Sequence, residues 1–470
     1  MQQTEVSGDL PSLSLSLGGR GTSSYHADPS LKHRKRKREQ YDRRSRAKHL
    51  LRARNCMMRR CSNEFDGKGH LLIRLILLCA ASVHRRDLRT AAESLMNLYR
   101  RASLTGEPIE RVAAYFADGL FARLLLPSSP LQATIAANPS PEEELAAFAG
   151  FYYASPCYQF AHFTANQAIM DAYEEAESFN GGNLHVVDLD VSHGFQWPSL
   201  MQSLSDRATT TNKPISLSIT GFGRSLHELR QTAARLRSFA GGCSNLSFDF
   251  QGKIIRPSHS GPLAVLREKK NATVVVNNLV FYLQTLKSTA EISSTLRAIR
   301  EVNPNLVILV EREDRRPEPE EHLTENRLDG EEEGGGGGGF LPRFMESLQY
   351  FAAMFDSLNG CLPRESLERV RIEKNHLGRE IREALLMGDR PGRRTREMMM
   401  ERRWFEGVRM SWRAVSQAKL LVKMKSQGSA MEHLRGGARF SVWEEDDGRA
   451  LSLGWQGRRL LTVTAWRCSP

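Results

Sequence analysis

Residues 184–222 read LHVVDLDVSHGFQWPSLMQSLSDRATTTNKPISLSITGF, and this stretch decides the fold. A short β-branched run comes first, an amphipathic segment follows, and a second β-branched run ends the stretch. This order is typical of a strand, a crossover helix and a parallel strand. Pro198 lies near the predicted helix start, where its fixed φ is favoured. The stretch therefore predicts one βαβ unit of a parallel sheet.

Three more runs typical of strands follow at starts roughly 30 residues apart, which is the length of a βαβ unit. They are LSFDF (246–250), ATVVVNNLV (272–280) and NLVILVERE (305–313). Ser225, just after the second strand, is a candidate hydroxyl N-cap for the next helix. The sequence thus predicts an α/β fold whose mostly parallel sheet has helices on both faces.

Helical patterns precede the predicted sheet. Apolar residues recur at three- and four-residue steps over 71–124, with an interruption at 106–108, and a second helical stretch covers 141–177. After the sheet, helices are predicted at 340–387 and 395–425. The segments RFSVWEED, ALSLGW and RLLTVTAWR then predict antiparallel strands, the last two joined by a tight turn at Gln456 and Gly457.

Charge and composition divide the chain of 470 residues. Residues 32–60 hold fourteen Lys/Arg and two acidic residues, which accounts for the whole net charge of +12. We expect a disordered basic tail over 1–69, a mainly helical part over 70–180 and an α/β core over 181–470. Residues 317–339 are acidic and end in six glycines, so they are expected to form a flexible insertion.

The cysteines and the N-terminal residues indicate in which cellular compartment the protein is expected. The seven cysteines form no C-x-x-C pair, so neither a disulfide framework nor a zinc ribbon is indicated. The opening MQQTEVSGDL lacks a signal-peptide pattern, and Arg74 breaks the longest apolar run. We therefore expect the cytosol or the nucleus, with no membrane span.

The loop after the first strand is where a nucleotide-binding site would be expected in such a sheet. A phosphate cradle needs closely spaced glycines, and residues 190–196 contain only Gly194. Asp188 and Asp190 do lie where methyltransferase-like sheets bind a ribose, but the bulky Phe195 and Trp197 argue against a ligand. A methyltransferase-like enzyme that uses the carboxyl edge of the sheet remains the alternative hypothesis; its candidate residues are Asp188, Asp190, Asn277 and Glu311.

Other titratable side chains near this edge have two interpretations. His185 and His193 could form a metal site or an acid/base pair, but a hydrogen-bond network that fixes the loop is favoured. Glu311 and Glu313 end the fifth strand, and ion pairs with nearby arginines are favoured over catalysis. The sequence therefore predicts no catalytic residue, cofactor site or metal site.

The tail contains two dense basic clusters. Their residues are Arg34, Lys35, Arg36, Lys37, Arg38, Arg43, Arg44 and Arg46. Such clusters are typical of a nuclear-import signal or a polyanion-binding arm, whereas the plainer alternative is a solvated tail. We favour nuclear import.

Three further features of the sequence are candidates for binding or packing. Leu13, Leu15 and Leu17 alternate with serines and resemble the LxLxL repression motif of plant regulators, which recruits a corepressor. Trp455 and Trp466 lie in alternating strands and are expected to be structural. An Arg-rich stretch offers candidate DNA contacts, or else a solvated helix face: Arg390, Arg393, Arg394, Arg396, Arg402 and Arg403.

Several motifs, in order, resemble those of the plant GRAS family. HVVDLDVSHGFQWPSLMQSL is similar to the family's VHIID motif, whose matching residues here are His185, Val186, Val187, Asp188, Leu189 and Asp190. FTANQAIMDA resembles the family segment that precedes the VHIID motif. VVVNNLVFYLQTL resembles a leucine-rich region of the family. RIEKNHLGREI resembles the region named after Pro, Phe-Tyr and Arg-Glu. Trp443, Trp455 and Trp466 lie in segments that resemble the closing SAW motif. The resemblance covers about residues 70 to 468 and indicates a SCARECROW-like, non-DELLA member.

This resemblance carries expectations about fold and function. It implies a Rossmann-like, methyltransferase-like α/β core with a helical cap and without enzymatic activity. It further implies a nuclear transcription regulator that pairs with other GRAS proteins and with zinc-finger transcription factors. A corepressor is a further candidate partner, and DNA would be reached directly or through partners. Ser218, where many members have arginine, and the acidic, Gly-rich insertion depart from the family pattern.

Overall fold

The computed structural model describes most of the chain beyond the basic tail. The described residues are 66–125, 139–254, 271–278, 289–313, 340–386, 400, 405–427 and 439–469.

Six helices are described before the first strand. They are α1 (Asp66–Arg85), α2 (Leu88–Arg101), α3 (Pro108–Leu124), α4 (Pro141–Ala154), α5 (Pro156–Glu175) and α6 (Glu177–Asn180). The break between α1 and α2 was not predicted, because the apolar spacing continues across it and no glycine or proline marks it. Arg86 takes a positive φ there, and the Asp87 side chain accepts a hydrogen bond from the backbone N–H of Thr90 at 3.1 Å.

The described strands and helices of the α/β core alternate as predicted, apart from residues 255–270 between β3 and β4, which lie outside the described residues. They are β1 (Asn183–Asp188), α7 (Trp197–Thr211), β2 (Ile215–Gly223), α8 (Leu226–Ala240), β3 (Leu246–Ile254), β4 (Thr273–Asn277), α9 (Thr289–Val302) and β5 (Leu306–Arg312). Pro198 occupies the first turn of α7, as expected. Ser225 is the N-cap residue of α8, but its hydroxyl makes no capping hydrogen bond, so that detail of the prediction is wrong.

The C-terminal third adds helices and antiparallel strands. They are α10 (Phe340–Cys361), α11 (Leu367–Ile372), a π-helix (Glu373–Leu377), α12 (Gly378–Leu386), β6 (Phe405–Val408), α13 (Trp412–Gln427), β7 (Phe440–Glu445), β8 (Ala450–Trp455) and β9 (Arg458–Cys468).

All nine described strands join one sheet of order β3-β2-β1-β4-β5-β9-β8-β7, with β6 paired to β9. The first five are parallel and the pairs made by β6 to β9 are antiparallel. The predicted α/β, Rossmann-like fold with C-terminal antiparallel strands is therefore confirmed. The direction of strand order reverses between β1 and β4, and this switch point is where open α/β sheets bind ligands.

One predicted helix is wrong in part. Residues 405–408, placed within a helix at 395–425, form β6, in which Phe405 pairs with Cys468. Four residues are too few to show a strand period, and pairing with β9 decides the conformation. Helix α13 begins only after Ser411, whose hydroxyl accepts a hydrogen bond from the N–H of Ala414 at 3.2 Å.

The predicted hairpin between β8 and β9 is confirmed. Gln456 and Gly457 have φ values of 48° and 78°, which suits a two-residue hairpin turn. Gly454 precedes this turn at a register shift of the ladder. A Cβ there would collide with the Trp443 ring and with the carbonyl of Arg458, so the position requires glycine.

The apolar core lies on both faces of the sheet. The larger cluster contains residues of helices α1 through α5, of helix α10 and of strand β8. The smaller cluster contains residues of α9 and β6 and Trp466, and it packs against the other face. Among the described helices, the segment Gly67–Arg85 is long and apolar enough to cross a membrane by length and composition. Leu72, Ile76 and Cys79 of this segment are buried in the larger cluster.

Trp455 and Trp466 are both buried in the sheet, on β8 and β9. Trp455 Nε1 donates to Asp356 Oδ2 at 2.7 Å, and Trp466 Nε1 donates to Thr464 Oγ1 at 3.0 Å. Both indole N–H groups are thus satisfied inside the protein, as buried polar groups must be.

Trp466→Ala is expected to lower the free energy of unfolding by about 3 to 5 kcal/mol, because it leaves a cavity beside β5 and β6. Urea unfolding followed by circular dichroism measures this change. Phe179→Ala is the matched control, since that ring is 82% exposed and its removal should have little effect. A Trp466→Ala variant as stable as the control would contradict the structural role of Trp466.

Candidate functional site

The VHIID-like residues run through β1 to the switch point. His185, Val186 and Val187 are buried within the strand, Asp188 is its last residue, and Leu189 and Asp190 follow it. Asn277 ends the neighbouring strand β4, in register with Asp188. Since both strands are parallel, these polar side chains lie together at the carboxyl edge of the sheet.

Asp188 is the centre of a hydrogen-bond network at this edge. Its Oδ1 accepts from Asp190 N at 3.2 Å, from Asn277 Nδ2 at 3.3 Å and from Asn278 Nδ2 at 3.0 Å. Asn278 Nδ2 also donates to the carbonyl of Asp190 at 3.2 Å. The network thus fixes the first residues of the loop after β1 against the end of β4.

The network continues into the helical cap through two amide side chains. Asn277 Nδ2 donates to Gln196 Oε1 at 3.1 Å, and Gln196 Nε2 donates to Asn166 Oδ1 at 3.0 Å. Asn166 lies on α5, and its Nδ2 donates to Ser199 Oγ at 2.8 Å and to the carbonyl of Gln196 at 2.9 Å. This chain of amides ties α5 of the cap to the sheet and to the start of α7. We call the linked residues Asn166, Asp188, Gln196, Asn277 and Asn278 the switch-point network.

Burial changes the protonation of the acidic residues here. Burial, together with the nearby Asp190 carboxylate, raises the pKa of Asp188 to about 7, although the hydrogen bonds from Asn278, Asp190 and Asn277 oppose this effect. Burial also raises the pKa of Asp190, to about 6, although Arg224 opposes this effect. A large fraction of Asp188 is therefore uncharged at neutral pH. This agrees with its hydrogen-bond partners in the switch-point network, which are neutral amide groups.

Aromatic side chains cover the network. Phe195, in the loop after β1, contacts Tyr152 and Phe148 of α4, with ring centroids 5.1 and 5.3 Å apart. Phe148 also contacts the rings of His193 and His376, at 5.2 and 5.9 Å. Burial lowers the pKa of His193 to about 4, so this imidazole is neutral at pH 7. We call Phe148, Tyr152, His193, Phe195 and His376 the aromatic cover.

The space left between the aromatic cover and the network is small. It is a cavity of about 30 Å³ lined by residues that include Asp188, Gln196, Asn278 and Phe195. Such a volume holds about two water molecules, whereas small-molecule sites occupy about 300 to 1,000 Å³. The described residues at the switch point thus leave room for water but not for a nucleotide.

The histidines and carboxylates do not come together as metal ligands. His185 Nε2 lies 3.1 Å from Thr220 Oγ1 on β2, while His193 belongs to the aromatic cover. No group of three or more His, Cys, Asp or Glu that could hold a metal occurs among the described residues. At the end of β5, Glu313 Oε1 accepts a hydrogen bond from Thr462 Oγ1 at 2.6 Å, and Glu311 is buried.

Ion pairs join α12 to strand β5 and to helix α4 of the cap close to this site. Arg312, at the end of β5, pairs with Glu380 of α12 at 3.1 Å, and Arg379 pairs with Glu144 of α4. Burial raises the pKa of Glu380, but Arg312 and His376 outweigh this effect, so the net shift is downward. His376 Nε2 also lies 3.1 Å from the Tyr158 hydroxyl.

A buried charge cluster joins α3 to the π-helix, and sequence reasoning missed it. Arg111 Nε donates to Glu373 Oε1 at 2.9 Å, and Arg369 Nη1 donates to the same oxygen at 3.2 Å. All three side chains are buried, so removal of Glu373 would leave two arginines without their shared carboxylate. The two partners Arg111 and Glu373 lie 262 residues apart. The spacing of charges within single helices therefore gave no signal for the pair.

Three sets of predicted site residues lie outside the described residues and stay predictions. They are the basic clusters of the tail, the leucines Leu13, Leu15 and Leu17, and the six arginines from Arg390 to Arg403.

The chain belongs to the GRAS domain family, whose model matches residues 72–467. It is 33% identical to Scarecrow-like protein 23 of Arabidopsis thaliana, over 87% of this chain and 92% of that protein. It is 32% identical to Protein SCARECROW of Ipomoea nil, over 86% of this chain and 47% of that protein. The chain thus spans about half the length of the SCARECROW proteins it matches.

A solved structure has a similar fold. The crystal structure of SCL7 in Oryza sativa matches with a TM-score of 0.62 and 29% identity, over 84% of this chain and 99% of that chain. The predicted GRAS resemblance is confirmed. GRAS and SCARECROW-type proteins are transcription regulators and not enzymes, which confirms the expectation of a non-enzyme.

Asp188→Asn is expected to raise stability at alkaline pH. The variant keeps an Oδ1 that can accept the same three N–H groups, and it removes the buried charge. The folded-state pKa of about 7 lies above the unfolded value of about 4, so the carboxyl contributes stability that is lost as pH rises from 4 through 7.

Urea unfolding at pH 5, 7 and 8.5 tests this prediction. The variant should exceed the wild type at pH 8.5, by at most about 4 kcal/mol, and the difference should shrink toward pH 5. The exposed Asp206 gives the control substitution Asp206→Asn, which should change little. A variant that is less stable than the wild type at pH 8.5 would show that the network requires the carboxylate.

Proposed function

We propose that this protein is a nuclear transcription regulator that acts by binding other proteins. Its partners would be other GRAS proteins and zinc-finger transcription factors. The observation that carries the proposal is the closed switch point, where the network and the aromatic cover leave a cavity of about 30 Å³. The place where such a sheet would bind a ligand is used for internal packing, so the outer surfaces are left for function.

Nuclear entry is assigned to the basic clusters of the tail. Between them they contain the eight positions from Arg34 to Arg46, and residues 32–60 carry the whole charge excess of the chain. Replacing the eight positions with Ser or Ala should shift a fluorescent fusion of the full chain from the nucleus to the cytoplasm. Unchanged nuclear accumulation in cells that lack its partners would contradict the assignment.

Selective DNA binding is assigned to the partner. The chain outside residues 32–60 has a formal net charge of zero, so it has no overall positive field to attract DNA. A direct contribution would have to come from the local patch of Arg390, Arg393, Arg394, Arg396, Arg402 and Arg403. We expect this patch to supply at most a few phosphate contacts, which position a protein but do not read sequence.

Titration of the full chain against promoter DNA at two salt concentrations, with and without a zinc-finger partner, tests this assignment. The chain alone should bind DNA with little sequence preference, because its basic tail supplies only salt-sensitive phosphate contacts, and the partner should supply selectivity. A variant with the six arginines replaced by Ser serves as the control for direct contacts. Nanomolar, sequence-selective binding by the wild-type chain alone, lost in this variant, would overturn the proposal in favour of a direct DNA-binding factor.

A further inference from the structure

Helix α13 exposes a row of large apolar side chains. Trp412 is 76% exposed, Leu420 56% and Met424 63%. Together with the exposed Ser416 they are spaced four residues apart, so they form one ridge along the helix. Single exposed apolar residues are common, but an ordered row that includes a tryptophan is typical of a protein-binding surface. We call Trp412, Ser416, Leu420 and Met424 the α13 ridge.

The two flanks of the α13 ridge differ in charge. On the side of α5, Arg413 Nη1 lies 2.9 Å from Glu174 Oε2 and 3.9 Å from Asp171 Oδ1, so two carboxylates surround one cation. On the side of β7, Lys419 Nζ lies 2.9 Å from Glu444 Oε1. Both side chains of this second pair are exposed, so the pair is weak and the lysine can exchange its carboxylate for one of a partner.

Lys423 adds a second cation on the β7 side of the α13 ridge. It is exposed and lies four residues after Lys419, so the two ammonium groups follow the same edge of the helix. Helix α13 has four basic residues and no acidic one, so no carboxylate of the helix itself can pair with Lys423. This edge therefore attracts negatively charged side chains of a partner.

Nucleic acid fits this surface less well than a protein does. Carboxylates of α5 and β7 lie on both flanks of the α13 ridge and would repel a phosphate backbone. Leu420 and Met424 present aliphatic surface, whereas single-stranded nucleic acid stacks its bases on aromatic rings. A methionine side chain adapts to varied apolar partners, which suits a surface that binds a peptide.

The shape of the α13 ridge selects a helical partner. The ridge spans residues 412–424, which is about 18 Å of helix. An amphipathic helix lays apolar side chains at three- and four-residue steps against such a row. The edge of the partner helix that faces Lys419 and Lys423 then requires Asp or Glu. Acidic, amphipathic segments of this kind occur in activation domains that fold on binding.

We propose that the α13 ridge binds an acidic amphipathic helix of a partner protein. The apolar face of that helix covers Trp412, Leu420 and Met424, and its carboxylates pair with Lys419 and Lys423. The inference rests on the proposed function, because it gives one binding surface and one class of partner to a regulator that acts through other proteins. One helix face is smaller than the roughly 800 Å² per partner of a standard interface, so a dissociation constant in the micromolar range is expected.

Fluorescence anisotropy of a labelled, designed peptide tests the proposal. The peptide is about four helical turns long, with leucines at three- and four-residue steps and glutamates along one edge of that face. The full chain should bind it saturably, and Leu420→Glu should raise the dissociation constant at least tenfold, because a carboxylate then faces the leucines. Leu367→Glu is the matched control, since Leu367 is 82% exposed on α11 and lies outside the ridge.

A charge exchange tests the acidic edge of the partner. Lys423→Glu should weaken binding of the glutamate peptide and strengthen binding of a peptide in which lysines replace the glutamates. The basic tail is the same in every variant, so binding of a given peptide to the tail contributes equally and cancels from the comparison. No saturable binding by the wild type, equal binding by Leu420→Glu and the control, or no charge exchange would overturn the proposal.

Two further outcomes would assign the α13 ridge to another occupant. If a single-stranded DNA oligonucleotide abolishes the difference in peptide binding between the wild type and Leu420→Glu, the ridge binds nucleic acid. If Leu420→Glu removes a dimer that the wild type forms in sedimentation velocity, a second copy covers the ridge. Either result would overturn the proposal. None of these measurements involves nuclear import or promoter recognition, so a failure of the inference is distinguishable from a failure of the proposed function.

Discussion

Polar groups that are buried at the ends of β1 and β4 must find hydrogen-bond partners inside the protein, and the architecture around the switch point depends on this requirement. The ends of parallel strands usually face solvent or a ligand. Here the helical cap covers them, and Asn277, Gln196 and Asn166 connect Asp188 to α5 by successive amide hydrogen bonds. The polar network thus fixes the position of the cap, and the aromatic cover fills the space above it.

The protonation states of the buried side chains at this edge of the sheet agree with a packing role. Asp188 is held by three N–H donors, and burial moves its pKa to about 7, which limits the cost of a buried negative charge. His193 of the aromatic cover is neutral at pH 7 because burial lowers its pKa to about 4. Charged groups form ion pairs elsewhere: Arg111–Glu373 joins α3 of the cap to the π-helix across 262 residues, and Arg312–Glu380 joins β5 to α12.

Much of the fold could be predicted from the sequence, because the strands of the core have β-branched runs at regular spacing. The switch-point residues Asp188 and Asn277 could be placed at the carboxyl edge for the same reason. What could not be predicted depends on distant pairing. Strand β6 exists through its ladder with β9, and Glu373 is paired with Arg111 over 262 residues. The closure of the site by Phe148 and Phe195 likewise depends on how the cap sits on the sheet, which no local pattern gives.

The central claim is that internal packing closes the switch point of this sheet. Isothermal titration calorimetry of the full chain with S-adenosylmethionine tests it most directly, because methyltransferase-like sheets bind their nucleoside ligand at this edge. The account predicts no saturable heat of binding up to millimolar ligand, since the cavity of about 30 Å³ has room for water only. Saturable binding in the micromolar range, abolished by Asp188→Asn, would contradict it.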